Sequence, residues 1–94
     1  MIKIHGQEID GRLVLYVEGR LAGAFVPELE NCWTTARSSD PGRKIAVDLS
    51  GVTCVDRSGR YLLQLMHTSG IDFLRPGIAL QDILQQISEQ QALS

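Results

Sequence analysis

The sequence has little of what a metal, disulfide or membrane protein needs. Its 94 residues include two cysteines and two histidines, and none of these four lies within four positions of another. Metal ligands normally recur at such short spacings, so the sequence argues against a metal site. We expect Cys32 and Cys54 to be buried free thiols rather than a disulfide. No apolar run has the length of a membrane span, and the N-terminus lacks the pattern of a signal peptide.

An excess of charge of one sign is also missing. The chain carries 9 Lys and Arg against 11 Asp and Glu, which gives a net charge of −2, and the cations form no stripe. Proteins that bind nucleic acid usually cluster their cations, so we do not expect a nucleic-acid partner. The hydrophobic fraction of 44% is enough for one core. We therefore expect a single domain over residues 1–94, in the cytoplasm and without direct membrane insertion.

Motifs of common enzymes are absent as well. Ser58 does not lie in a Gly-x-Ser-x-Gly turn, and neither His5 nor His67 is evidently placed as its base. The sequence has no Gly-x-x-x-x-Gly-Lys and no Gly-x-Gly-x-x-Gly phosphate loop. We therefore expect a non-enzymatic protein without a cofactor. An isolated anion contact at Arg57 and Ser58 stays open as an alternative.

The N-terminal part of the chain has the pattern of a β-hairpin. Residues 1–7 alternate apolar and polar side chains, as expected of an edge strand with one buried face. Asp10-Gly11 is a typical hairpin turn. The nearly continuous apolar run from Leu13 to Val17 predicts a strand that is buried on both faces.

The rest of the chain alternates helix and strand patterns. Strands are predicted at 45–49 and 71–74, with helices after each of them and one helix before the first. The first helix has Pro27 in its first turn and an apolar face made of Phe25, Leu29, Cys32, Trp33 and Ala36. The last helix has an apolar stripe made of Ile78, Leu80, Ile83, Leu84 and Ile87. We predict an α/β fold, with a small mixed, mostly parallel β-sheet and helices packed against it through right-handed crossovers.

The stretch from Asp48 to Arg60 connects an apolar strand to a helix, and the sequence is organised around it. The helix has an apolar periodicity formed by Tyr61, Leu62, Leu65 and Met66. Asp56 and Ser58 are residue types that accept hydrogen bonds from the free N–H groups of a helix start. Any functional site is predicted here. The simpler alternative is that these residues only cap a helix.

Two features of this stretch leave alternatives open. Asp48 and Asp56 could approach each other, but nothing in the sequence shows that they share a site. Arg57 is unusual because a cation at a helix N-terminus costs about 0.3–1 kcal/mol. It could be offset by a neighbouring carboxylate such as Asp56, could contact a partner, or could simply be solvated.

The run from Val47 to Leu63 resembles the signature of STAS domains, which occur in bacterial anti-sigma factor antagonists and in the tails of sulfate transporters. The likeness rests on Val47-Asp48-Leu49-Ser50-Gly51 and on Asp56 and Gly59 in register with it. The run Val17-Glu18-Gly19-Arg20-Leu21 resembles another strand of the family, with arginine in place of an acidic residue. The order of predicted elements agrees as far as Leu74. The resemblance implies a STAS-like fold.

The resemblance also implies a function in signalling and transcription regulation. Switching members carry a Ser or Thr directly after the aspartate, and a partner anti-sigma kinase phosphorylates it. Arg57 occupies that position here, and Ser58, one residue later, is left as the candidate phosphorylation site. We expect a regulatory protein, such as an anti-sigma factor with serine kinase activity, to bind at Asp56, Arg57, Ser58, Gly59 and Arg60.

The sequence leaves other functions open. The chain could be a STAS-type accessory subunit of an ABC-type membrane transporter, docking on the transporter ATPase. It could instead be a sensor domain that binds a small molecule or nucleotide at the helix N-terminus. A homodimer is a further alternative, because an exposed apolar patch could drive association.

Overall fold

The computed structural model describes residues 1–93, and the side chains of all of these except residues 78, 79 and 88–93. The described chain forms strands, helices and one short 3-10 turn at Gly23–Phe25. In chain order, the strands and helices are β1 (Ile2–Ile9), β2 (Arg12–Leu21), α1 (Val26–Ser39), β3 (Ile45–Val55), α2 (Arg57–Thr68), β4 (Asp72–Leu74) and α3 (Ile78–Leu93).

The four strands form one sheet in the order β1-β2-β3-β4. Strand β1 pairs antiparallel with β2, whereas β3 runs parallel to both of its neighbours. The hairpin between β1 and β2 turns at Asp10 and Gly11, whose φ angles of 52° and 81° are those of a two-residue turn. The predicted α/β class with a mixed, mostly parallel sheet is therefore confirmed.

The three helices pack against one face of this sheet and enclose the core. Alternate residues of β2 and β3 point into it, among them Leu15, Val17, Val47 and Leu49. The helices add fully buried side chains, which are Leu29 and Trp33 from α1, Leu63 and Met66 from α2, and Ile87 from α3. None of the described helices packs on the other sheet face, where Asp48 is buried and bound by Arg75. None of the described helices is long and apolar enough to cross a membrane.

The structure corrects the expectation that Cys32 and Cys54 are buried. Both are exposed free thiols. Trp33 on α1 points into the core. Cys32 precedes it by one residue, so it lies on a different side of the helix and faces away from the sheet. Cys54 lies near the end of β3, beyond the last fully buried residue of that strand, Leu49. Neither cysteine therefore contributes to the core.

Two predicted apolar runs are only partly buried. In β2, Val14, Leu15 and Val17 are buried, but Leu13 and Tyr16 are half-buried, so the strand is less enclosed than its composition predicts. In α2, the core side chains are Leu62, Leu63 and Met66, whereas Tyr61 and Leu65 face outwards. In the apolar stripe predicted for α3, Leu80 and Ile87 are buried as expected. The side chain of Ile78 lies outside the described part of the structure.

Candidate functional site

The candidate site lies at the edge where the parallel strands β2 and β3 end. Their last residues, Leu21 and Val55, are paired with each other. The backbone N–H of Asp56 then donates to the carbonyl oxygen of Leu21 at 3.3 Å. Ligands and partners of open α/β sheets typically bind at the carboxyl ends of the strands, so this edge is the expected place for a site.

Asp56 fixes this edge through three hydrogen bonds to its carboxylate. Its Oδ1 accepts from the backbone N–H of Gly59 and from the hydroxyl of Ser58, each at 2.8 Å. Its Oδ2 accepts from the backbone N–H of Gly23 at 2.8 Å. One side chain thus caps α2 and also holds the turn that precedes α1. The predicted cap at Asp56 is confirmed, whereas the predicted cap at Ser58 is wrong, because its hydroxyl donates to Asp56 instead. The bond between Asp56 and Gly23 joins residues 33 positions apart, and the sequence did not predict it.

These hydrogen bonds keep the carboxylate of Asp56 ionised. The N–H groups of Gly59 and Gly23, and then the hydroxyl of Ser58, lower the pKa of Asp56 below its ordinary value of 3.8. Because all three donors come from the same chain, the negative charge of Asp56 is already stabilised by hydrogen bonds within the protein.

Gly59 is required by the close packing of α2 on the end of β2. A methyl group at Gly59 would overlap the carbonyl oxygen of Leu21 and crowd Val55. Only glycine lets the first turn of α2 approach the strand this closely. Gly59 is buried, so it contributes to the site by placing its neighbours.

The two arginines of the predicted site differ in their surroundings. The side chain of Arg57 is exposed and makes no hydrogen bond or ion pair within the described part of the chain. Arg57 forms no ion pair with Asp56, whose carboxylate is instead bound by Gly23, Ser58 and Gly59. Arg60 donates from its guanidinium to the side-chain oxygen of Gln86 on α3 at 2.6 Å, a contact that the sequence did not predict. The start of α2 is thus a cationic surface.

An apolar surface continues from this cationic start along α2. Tyr61 is 72% exposed and Leu65 is 43% exposed. They follow Arg57 at intervals of four residues, so the three side chains share one face of the helix. Tyr61 and Leu65 border a shallow hollow of about 170 Å³ with Gln64 and Thr68. We call the exposed side chains of Arg57, Tyr61 and Leu65 the α2 face.

Asp48 belongs to a different part of the molecule. It is buried on the helix-free face of the sheet, where its Oδ1 accepts from the N–H of Ser50 at 2.9 Å and its Oδ2 from Nε of Arg75 at 2.7 Å. Burial raises the pKa of Asp48, but the hydrogen bonds from Ser50 and Arg75 outweigh it and lower the pKa overall. Asp48 and Asp56 thus bind separate partners and do not form a carboxylate pair.

A wider depression of about 790 Å³ lies over the helix-free face, bordered by His5, Tyr16, Asp48 and their neighbours. Its buried carboxylate, Asp48, is already fully bound within the chain. The depression therefore presents no unpaired buried group to a ligand. Among the described residues, no group of three or more His, Cys, Asp or Glu side chains is placed to hold a metal ion.

The sequence matches no protein-family model, and no curated protein matches it. The site therefore has to be judged on its own geometry. The structure brings the five predicted residues, Asp56 to Arg60, together at the start of α2. What sequence analysis missed is the outward direction of Tyr61 and Leu65, because periodicity alone does not say which half of a broad apolar stripe meets the core.

Proposed function

We propose that this chain is a non-enzymatic, STAS-like protein-interaction domain of the cytoplasm, similar in action to an anti-sigma factor antagonist. The α2 face, together with the capped turn from Asp56 to Arg60, binds a regulatory protein. The observation that carries the proposal is the exposure of Tyr61 and Leu65 directly beside the unpaired cation Arg57. Large apolar side chains that share an exposed surface typically mark an interaction site.

The fixed geometry of the site supports a role in binding. Asp56 and Gly59 hold the first turn of α2 against the end of β2, so Arg57 and Tyr61 are presented on a rigid element. A rigid surface loses less conformational entropy on binding than a mobile loop does. Arg57 also favours a partner that carries a carboxylate, because the helix N-terminus adds to its positive charge.

Ser58 gives the site a means of regulation. Its hydroxyl donates a hydrogen bond to Asp56, and a phosphate on that oxygen would remove the donor. The phosphate would also bring a charge of about −1.5 to −2 against the Asp56 carboxylate. Phosphorylation of Ser58 by a partner kinase would therefore loosen the turn and reverse the charge of the surface.

The proposal is tested by isolating the tagged protein from its own cells and identifying what accompanies it. Arg57→Glu and Ser58→Glu are expected to lose the partner, whereas Lys44→Glu keeps it. Lys44 is an exposed cation before the start of β3, so it controls for the same change of charge. Intact mass and peptide mapping of residues 54–60 show whether Ser58 carries phosphate.

Stability measurements separate lost binding from lost folding. An acidic residue at position 57 suits the helix dipole, so Arg57→Glu should not lower the melting temperature. A partner that remains bound to Arg57→Glu and Ser58→Glu contradicts the proposed surface. Recovery of a transporter ATPase would identify an accessory subunit, and stabilisation by nucleotides alone would identify a sensor domain.

A further inference from the structure

The outer edge of β1 is a long strand edge that the described chain leaves unpaired. Strand β1 has eight residues and lies at the end of the sheet. Its pairing with β2 runs without a register shift from Ile2 to Ile9, and it contains no proline. The opposite edge strand, β4, has three residues and ends at Leu74, and the next residue, Arg75, has a φ of 49° that turns the chain away. Proteins commonly protect edges in the way β4 does, and β1 lacks that protection.

The charges on β1 do not protect its edge either. Lys3 lies directly opposite Glu18 of β2, and Glu8 forms an ion pair with Arg43 at 3.1 Å. Glu8 is therefore ion-paired within the chain, and Lys3 has a residue of opposite charge across from it on β2. A second strand that sets neutral residues against Lys3 and Glu8 meets no like charge at this edge.

Alternation along β1 determines which backbone groups are free. The two-residue turn makes Ile9 and Arg12 a hydrogen-bonded pair, so the odd-numbered residues of β1 bond to β2. The N–H and C=O groups of Ile2, Ile4, Gly6 and Glu8 then point outwards. An antiparallel second copy of β1 would satisfy them with about eight hydrogen bonds.

We propose that two copies of this chain associate through β1 and form one continuous eight-stranded sheet around a twofold axis. The axis is perpendicular to the sheet, so both helix layers stay on the same side and residues of like orientation face each other. With His5 on the axis, Lys3 lies opposite Gln7 and Ile4 lies opposite Gly6.

The side chains favour this register. Gly6 of the second copy has no side chain that could clash with Ile4, and this pairing occurs twice. Lys3 meets the neutral amide of Gln7, so it faces no second lysine. Centring the pair on Gly6 instead would oppose Ile4 to Glu8 and leave two glycines without side-chain contact. The α2 face lies towards the other edge of the sheet and remains free for a partner, so this association does not depend on the proposed function.

A disulfide at the axis tests the register directly. Residues 5 of the two copies form a non-hydrogen-bonded pair with Cα atoms about 4.5 Å apart, which is within the range of a disulfide. His5→Cys, made together with Cys32→Ser and Cys54→Ser, is expected to cross-link into a dimer of twice 10.4 kDa under mild oxidation. Gln7→Cys in the same background is the control, because its two copies would lie about 13 Å apart.

Charge substitutions give a second measurement on the intact chain. His5→Lys places like charges on the axis and is expected to weaken the dimer in sedimentation equilibrium at least tenfold. Gln7→Glu faces Lys3 of the second copy and is expected to strengthen it. A wild-type chain that stays monomeric up to its solubility limit, or equal cross-linking of His5→Cys and Gln7→Cys, would overturn the proposal.

Discussion

Asp56 links the starts of the two helices that follow β2 and β3. Because its pKa is lowered in the folded chain, the unfolded chain takes up a proton at a higher pH than the folded chain does. The stability that Asp56 contributes is therefore complete above the ordinary pKa of 3.8 and is lost as the pH falls through the lowered value. The pKa of Asp48 is also lowered in the folded chain, so protonation of either carboxylate at low pH favours unfolding.

Replacing Asp56 with asparagine tests this linkage. Asparagine still caps a helix, so Asp56→Asn should fold at neutral pH with a melting temperature a few degrees lower. Its melting temperature should fall less steeply than that of the wild type between about pH 5 and about pH 3. Thermal unfolding across this range measures both effects. An unchanged acid dependence would show that the bonds to Gly23, Ser58 and Gly59 do not depend on the charge.

A substitution at Gly59 should have a large effect on stability, because atoms of Leu21 and Val55 occupy the space beside it. Gly59→Ala should lower the free energy of unfolding by about 1–3 kcal/mol, since the methyl group overlaps the carbonyl oxygen of Leu21. Gly42→Ala is the matched control, because no atom lies within 4 Å of a methyl group there. It should change stability by less than about 0.5 kcal/mol. Urea denaturation compares the two, and equal effects would contradict the close packing of α2 on β2.

Arg75 shows how a buried carboxylate can hold a strained turn. Its φ of 49° is unusual for a residue with a side chain, and its guanidinium binds Asp48. Arg75→Ala leaves Asp48 with only the hydrogen bonds from Ser50 and should cost about 1–3 kcal/mol. The lower end is expected because the arginine side chain is 68% exposed and solvent screens the pair. Arg75→Gly, which relieves the backbone strain, should recover part of the loss in the same denaturation experiment.

At the scale of single elements, α2 has two apolar faces with different roles. Leu62, Leu63 and Met66 are buried against the sheet, whereas Tyr61 and Leu65 remain exposed. The stripe predicted from the sequence contains Tyr61, Leu62, Leu65 and Met66. It includes the two exposed side chains and omits the fully buried Leu63, so helical periodicity predicts the helix but not which side chains are buried. The exposed half becomes visible only once β3 and α3 define where the core ends.

Two leucines of α2 provide a matched test of these faces. Leu63→Ala removes a fully buried side chain and should lower stability by about 2–5 kcal/mol. Leu65→Ala lies two residues further along the same helix and should change stability by less than about 1 kcal/mol, because much of its side chain is already in water. Thermal unfolding of both variants measures the difference. A large loss from Leu65→Ala would mean that this side chain belongs to the core.

At the scale of the whole molecule, the fold was largely predictable from the sequence. Alternation in β1, the Asp10-Gly11 turn and the apolar run at Ile45–Leu49 are local signals, and they suffice for a mixed sheet with helices on it. Contacts between distant segments were not predictable. Asp56 with Gly23, Asp48 with Arg75 and Arg60 with Gln86 each depend on where separate elements meet in space. The exposure of Cys32 and Cys54 was missed because apolar composition does not determine direction.

The molecule has two candidate binding surfaces on different elements. The β1 edge is one, and the α2 face, on a helix that packs beside β3, is the other. A dimer joined through β1 would carry two α2 faces, one towards each end of the extended sheet. Such a dimer could bind two partner molecules, or two sites of one dimeric partner, with a gain from multivalency.

The most direct test of the account is site-specific photo-cross-linking in the cells that make this protein. A photoreactive residue at position 61 or 65 should capture one and the same partner, and Arg57→Glu should abolish the capture. The same residue at position 44, an exposed site at the opposite end of β3, should not capture it. Capture at position 44 but not at positions 61 and 65 would contradict the claim that the α2 face is the binding surface.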